Sequence, residues 1–389
     1  MQQNSVKYYP VGNGDQSLIT LKDKTTILTD CNIRQGSKDG SDPAMFDVKK
    51  DLLQSIQTDG GVPFVDVFIL THGDKDHCRG FRDNFYRGDP TKYADKDRKA
   101  GLIRMDEMWF SPMVAVENTN EEETAHQEEA ERRIDLHLKN DPQKDLPGNR
   151  IRIIGYDPEN RDYSALAHLR YVPGSVVTLF NNKQQETFSV FIHSPFKEQL
   201  ASADPDDKNT ASIVFQARFK EYSFSTEFSN LFMFGGDADY IAWDVILQRT
   251  VRYENDVKQK ALDWDIFLAP HHCSWTFFNE SSNKDEVQDS SIEVLRYRRT
   301  GGKVIASSKV IIDNDDNPPC YKAKKEYLKH LDSGKDFLNT DTYPKESEPV
   351  PIVFVTTANG PVLSPTTVVK TASGAAGGAG AASTIIKQG

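Results

Sequence analysis

The chain has 389 residues, a formal net charge of −11 and a composition that is 37% hydrophobic and 10% aromatic. That is enough apolar material for one large core or two, and the acidic balance argues against a broadly basic, duplex-binding surface while leaving room for a local basic groove. No apolar run approaches the roughly 18 residues of a membrane helix, the opening MQQNSVKYYPVGNGD lacks a signal-peptide pattern, and the four cysteines, at 31, 78, 273 and 320, have no framework spacing. The chain therefore reads as a soluble cytoplasmic protein without a membrane segment.

In chain order, strands are predicted over 6–11, 16–20 and 25–29, the third ending at Asp30. Gly12-Asn-Gly-Asp15 lies between the first two; it lacks the lysine of a phosphate-binding loop and reads as a turn. A helix is predicted over 47–56. A β-branched strand over 65–70 then runs straight into Thr-His-Gly-Asp-Lys-Asp-His, residues 71–77. Residues 81–170 read as a helical insertion, with a strand at 105–110, a charged helix at 121–139 and a loop at 140–150.

Strands resume at 175–180, 188–193, 211–216 and 231–234, and the last runs into Gly235-Gly236-Asp237. A helix over 240–252 and a strand over 265–268 follow, the strand leading into Ala269-Pro-His-His-Cys-Ser274. The main domain spans 1–368, and 369–389 is a Gly/Ala-rich low-complexity tail. A β-rich start followed by helices predicts an α/β fold of stacked sheets with helices outside.

Only nine histidines occur in the chain, yet His72, Asp74, Asp76 and His77 fall on one turn at a strand end, where α/β sheets bind ligands. A single metal on this turn needs further ligands from elsewhere. Two metals can share it if another carboxylate bridges them, and Asp237 is the candidate bridge. Either His271 or His272 can close the second position. The competing reading, an ordinary Asp- and Gly-containing surface turn, is weakened by the two matching strand ends downstream.

These motifs resemble the metallo-β-lactamase fold family, whose His-x-His-x-Asp-His signature appears here with Asp74 in place of the second histidine. The similarity is closer to the metallo-β-lactamase-like domain of the bacterial DNA-uptake channel. Val11-Gly-Asn-Gly-Asp15, Ile27-Leu-Thr-Asp30, Asn209-Thr-Ala-Ser212, Gly236-Asp237 and Pro270-His-His-Cys-Ser274 follow that branch in order, with Cys273 replacing a glycine. The resemblance implies a four-layer αβ/βα sandwich. It implies that His72 and Asp74 hold a first metal, that Asp76, His77 and His271 hold a second, and that Asp237 bridges. Asp30 would support a ligand by hydrogen bonding, and Asp76 would also orient the attacking water. Asn209 stands where relatives carry a histidine ligand, which leaves the first position ligand-poor; His193 is the candidate replacement, or else a satisfied histidine at a strand end.

The cofactor expected is a pair of divalent ions, zinc or manganese. Asp74 makes the first position oxygen-rich and tilts it towards manganese, although intrinsic affinity favours zinc. Two close cations acidify a shared water and clamp phosphoryl oxygens, so the leading expectation is a phosphodiesterase or nuclease acting on nucleic acid or a cyclic nucleotide. Hydrolysis of a small ester, lactone or thioester is the alternative, and a non-catalytic scaffold that binds a partner, or a second copy, through 81–170 is the third reading. The basic run 296–303 and Lys322, Lys324, Lys325 and Lys329 read as a solvated face before they read as phosphate contacts. Trp275 is open between base stacking and core packing, and Cys273 reads as a small buried residue.

Overall fold

The computed structural model describes residues 3–36, 45–112, 120–158, 161–197, 208–252 and 260–365. The tail read from the sequence lies outside the described residues. Two large mixed sheets dominate. The first contains β1 (Ser5–Tyr8), β2 (Ser17–Thr20), β3 (Thr26–Thr29), β4 (Gln57–Asp59), β5 (Val62–Ile69), β6 (Arg104–Phe110), β7 (Arg150–Ile154) and β8 (Arg170–Tyr171), and near the chain end β18 (Ile352–Thr357) and β19 (Gly360–Leu363). Its order is β19-β18-β1-β2-β3-β5-β6-β7-β8, with β4 paired to β5. The second sheet holds β9 (Val176–Val177), β12 (Phe188–Ile192), β13 (Phe215–Phe219), β14 (Asn230–Phe234), β15 (Trp264–Leu268), β16 (Arg298–Ala306) and β17 (Phe337–Asn339), in the order β17-β16-β15-β14-β13-β12-β9. A hairpin of β10 (Leu179–Phe180) and β11 (Lys183–Gln184) stands apart.

The apolar runs are continuous because these strands are buried on both faces. Val67 and Ile69 of β5 join Ile27, Phe232, Phe234, Ile266 and Leu268 in a core shared by the two sheets. The alternate residues face helices. Leu28 and Phe68 pack with Val48 and Leu52 of α1 (Val48–Ser55). Met108 and Ile151 pack with Ala130 and Ile134 of α2 (Glu121–Leu138). Met233 and Phe267 pack with Trp243 and Ile246 of α3 (Tyr240–Arg252), and α4 (Asp289–Arg296) and α5 (Tyr321–Lys329) complete that cluster through Val294 and Tyr327. These strands thus serve two apolar layers, in the mixed α/β class that the order of the elements predicts.

Residues 104–171 supply β6, β7 and β8 by parallel pairing, so this stretch extends the first sheet. Two predicted strands differ from the fold. The one over 175–180 is split: Val177 pairs with Val190, whereas Leu179 and Phe180 turn back on β11 through Asn181 and Asn182 at φ 49° and 58°, the left-handed pair that a two-residue hairpin needs. The one over 211–216 begins late. Residues 208–211 form a 3-10 turn, and the backbone N–H groups of Ile213 and Val214 bond to Thr71 O and Ser194 Oγ before β13 starts. Among the described residues no helix is long and apolar enough to cross a membrane.

Candidate metal centre

The site forms where parallel strands stop together. In the first sheet Thr29 of β3 lies opposite Ile69 of β5, so Asp30 and Thr71 leave the sheet side by side. The N–H and hydroxyl of Thr71 both donate to the Asp30 carboxylate, at 2.7 and 2.5 Å. The same carboxylate lies 3.0 Å from His77 Nδ1, which turns His77 Nε2 outward. A carboxylate behind an imidazole fixes its tautomer and raises its basicity towards a metal.

In the second sheet Phe234 of β14 lies opposite Leu268 of β15. Asp237 follows two glycines, and its N–H donates to Ser212 Oγ at 3.2 Å. After β15, His271, His272 and Cys273 have φ of 49°, 54° and 68°. Consecutive left-handed residues cost roughly 1–2 kcal/mol each. The turn is held by His271 N–H to Gly236 O at 3.0 Å and by Cys320 N–H to Cys273 O at 2.9 Å. Strain of this kind, together with φ 58° at Asp30, concentrates where side chains must be aimed.

Asp15, His77, Asp237 and His272 come together from both sheets. Each offers a ligand atom, all within 4.8 Å of one another and all buried, so this group could hold a metal ion. His77 Nε2 is 2.9 Å and His272 Nε2 3.6 Å from Asp237 Oδ1, and His272 Nε2 is 3.3 Å from Asp76 Oδ2. His272 Nδ1 faces Asp15 at 3.5 Å. His77 Nε2, Asp237 Oδ1, both nitrogens of His272 and Asp15 Oδ1 are buried without a hydrogen bond. The facing atoms lie at ion-pair distance. Buried polar atoms left this way are costly unless something else completes them, and a cation among them would do so.

The charge state agrees. Burial opposes a charged His77, yet Asp237 and Asp30 push it well above the ordinary histidine value. Burial likewise opposes a charged His272, yet Asp237, Asp15 and Asp76 raise it to about 10. Burial would raise Asp237, but His77, His272 and His271 hold it well below the carboxylate range. Asp76 is also lowered, its burial outweighed by His272 and His77. A metal bound here would displace any proton these imidazoles carry.

His72 and Asp74 flank this group. His72 is buried and neither ring nitrogen has a hydrogen bond, although Nε2 is 3.1 Å from Asp74 Oδ2. Its ring stands edge-on to His77, with centroids 5.6 Å apart. His271 Nε2 lies 3.9 Å from Asp237 Oδ2, and its Nδ1 is 3.0 Å from Thr276 Oγ1. Burial lowers His271 below the ordinary value, which leaves it the neutral imidazole that metals bind.

His72, Asp74, Asp76, His77, Asp237 and His271 are therefore gathered in one place, with Asp30 behind His77. His272 enters the tight group, whereas His271 sits at its rim. Asp15 went unassigned as a ligand in the sequence because Gly-Asn-Gly-Asp reads as a turn; the signal that could have found it is the Val11-Gly-Asn-Gly-Asp15 motif, which ends in a carboxylate just before β2. His193 is engaged elsewhere: its Nε2 lies 2.9 Å from Ala261 O and its ring packs against Phe191. Asn209 lies in the 3-10 turn before β13, where its carbonyl accepts from Ser212 N–H.

The basic run sits at the other end of the sheet, since Arg298 pairs with Trp264 at the start of β15. Arg298 binds Asp332 at 2.7 and 2.8 Å and Arg299 binds Asp265 at 3.1 Å, so these residues are not phosphate contacts for this site. Trp275 is buried beneath Lys322 and against Phe278, and Cys273 is buried in the same core cluster. No family model matches the chain, and no curated protein is significantly similar to it.

Proposed function

We propose that the chain is a metal-dependent hydrolase of phosphodiesters, built on a four-layer metallo-β-lactamase-like sandwich and using two divalent ions, zinc or manganese. The observation that carries this reading is the buried Asp15–His77–Asp237–His272 group, whose facing atoms are close and without hydrogen bonds. Bound divalent ions would acidify a coordinated water and clamp the attacking and leaving oxygens of an in-line displacement. The protein's own part is positioning. Asp30 holds His77 and Thr276 holds His271, each through Nδ1, so that both Nε2 atoms face Asp237. Asp76 is a partly exposed carboxylate beside the group, placed to hold and orient the attacking water. Four free, buried cysteines fit a reducing compartment such as the cytoplasm.

The test is hydrolysis of bis(p-nitrophenyl) phosphate by the manganese-loaded protein. Wild type should cleave it, and Asp76→Ala should lose at least about a hundredfold, the scale of a misplaced reacting group. If the loaded protein leaves the phosphodiester intact and opens a lactone or thioester, ester hydrolysis replaces this reading. If it binds metal and cleaves neither, the phosphodiesterase assignment fails.

A further inference from the structure

The turn that carries Asp74, Asp76 and His77 is held from two directions. Its second half hangs on the first sheet: Asp76 O accepts from Asp15 N–H and Asn32 Nδ2, and His77 O and Arg79 O accept from the N–H groups of Cys31 and Ile33 at 2.8 and 2.9 Å. Its first half is met by the start of α2, 47 residues further along the chain. There Asn120 Nδ2 donates to Gly73 O at 3.0 Å, which fixes the peptide between Gly73 and Asp74. Asp74 O in turn accepts from His77 N–H at 2.9 Å, closing the single helical turn Lys75–Cys78 that presents Asp76 and His77. The Cys78 thiol joins the same knot, 3.2 Å from Asp74 O and 3.5 Å from Asn120 Oδ1.

Asn120 is also the N-cap of α2. Its Oδ1 accepts from the N–H groups of Glu122 and Glu123 at 3.1 and 3.0 Å, the ordinary capping arrangement. The oxygen is committed to the helix, so the NH2 group faces the turn and both ends of one amide are used. A second contact points to the same peptide. Gly73 has no positive φ that would call for glycine. Instead, a Cβ there would stand 2.2 Å from Glu123 Oε1, and Glu123 is buried. The first turn of α2 therefore leans on Gly73, between His72 and Asp74, through two side chains. Aspartate would cap α2 as well as asparagine does and glycine nearly so, yet neither offers the amide donor.

We propose that Asn120 is a positioning residue of the centre: from the cap of α2 it sets the Gly73–Asp74 peptide, and with it the aim of Asp76 and His77. This rests on the metal-centre reading above and gives the stretch 81–170 a part in the site. Groups that orient ligands from behind are worth about ten- to a hundredfold in metal affinity or activity.

The test uses full-length Asn120→Asp and Asn120→Gly. Both keep a residue suited to the cap and lose the donor. The added negative charge of the first would by itself strengthen cation binding, so a loss there cannot come from charge. Manganese titration of chelator-treated protein, followed by the electron paramagnetic resonance of free manganese, should give a dissociation constant raised about tenfold or more in both variants. In chelator, amide hydrogen exchange should quicken over 71–80 and stay as in wild type along 121–138. Glu128→Gly, at an exposed position inside α2, is the control: it weakens the helix, and should quicken exchange there while leaving manganese affinity unchanged. Wild-type affinity in the Asn120 variants would overturn the proposal. An equal loss in Glu128→Gly would overturn it too, since the effect would then be helix stability alone. Either result leaves a metal-dependent hydrolase standing, whereas wild type that binds neither manganese nor zinc removes that reading and this role with it. If one Asn120 variant fails to fold, the other decides.

Discussion

At the residue scale, the left-handed turn after β15 makes a stability test. Cys273 has φ 68° and is buried in the core, so its side chain packs well on a backbone suited to glycine. Cys273→Ala removes the thiol and keeps the strain, whereas Cys273→Gly removes more volume but relieves roughly 1–2 kcal/mol of left-handed cost. We expect Cys273→Gly to melt no lower than Cys273→Ala. At Cys78, also buried but with no positive φ, Gly should be worse than Ala by about 1 kcal/mol. The same Gly-below-Ala order at both cysteines would mean that position 273 carries no strain. His126 supplies a pH test. It is buried among Phe68, Phe81 and Phe110, and burial, aided by Arg133, lowers it to about 3. The unfolded chain therefore binds a proton that the folded chain refuses between an ordinary histidine value of about 6.5 and the folded one. The stabilisation is complete above that ordinary value and is lost as pH falls through the window, with a slope of about 1.4 kcal/mol per pH unit at most. Urea unfolding of His126→Leu between pH 6.5 and 5 should show a shallower fall than wild type; parallel curves would place the proton elsewhere.

At the element scale, the loop between β1 and β2 is docked on the turn that carries Asp76 and His77 rather than hanging from the sheet edge. Asp15 N–H reaches Asp76 O at 3.3 Å, Asn32 Nδ2 donates to the same oxygen at 2.9 Å, and Ser307 Oγ donates to Gly14 O at 2.6 Å. Gly14 permits this approach: at φ 139°, a Cβ would stand 2.0 Å from Asn32 Nδ2 and 2.5 Å from Asp76 O. Gly14→Ala should displace the loop that carries Asp15, cost about 1–3 kcal/mol by overpacking, and weaken metal binding. Gly60→Ala, also at positive φ but with open space around its Cβ, should cost less and leave metal binding unchanged. Equal metal affinity in both variants would remove the loop from the site. The strands that carry the centre were legible because a strand buried on both faces is a continuous apolar run, as in β5, β14 and β15, and each run stops just before a candidate ligand. Asp15 was not legible as a ligand, since its role depends on tertiary docking of a loop. Nor was the break in 175–180, where two asparagines reverse a run that alternation alone extends.

At the scale of the whole molecule, the centre lies where the two sheets meet. Asp15 and His77 come from the first sheet, Asp237 and His272 from the second, and further polar ties span that end, among them Ile213 N–H to Thr71 O at 2.9 Å, Ser307 Oγ to Gly14 O at 2.6 Å and Lys309 N–H to Asn13 Oδ1 at 3.0 Å. Of these four, the motifs read from the sequence assign His77 and Asp237 and leave His272 as an alternative to His271, while Asp15 reads only as part of a turn; the fold brings strand ends 30, 71, 237 and 271 to one place. A cation shared across the two sheets stabilises the folded state alone, since the unfolded chain does not assemble the four ligands. The increment is about 4 kcal/mol when free metal exceeds its dissociation constant a thousandfold. We therefore expect manganese or zinc to raise the melting temperature of wild type and a chelator to lower it again. Asp237→Ala should remove that increment, because its carboxylate faces both His77 and His272. It should also destabilise the metal-free protein by about 3–5 kcal/mol, the scale for a buried charge that loses its partner. The two effects separate cleanly when melting is recorded in chelator and in metal for both proteins. A metal-induced rise of equal size in Asp237→Ala would show that the ion binds outside this centre.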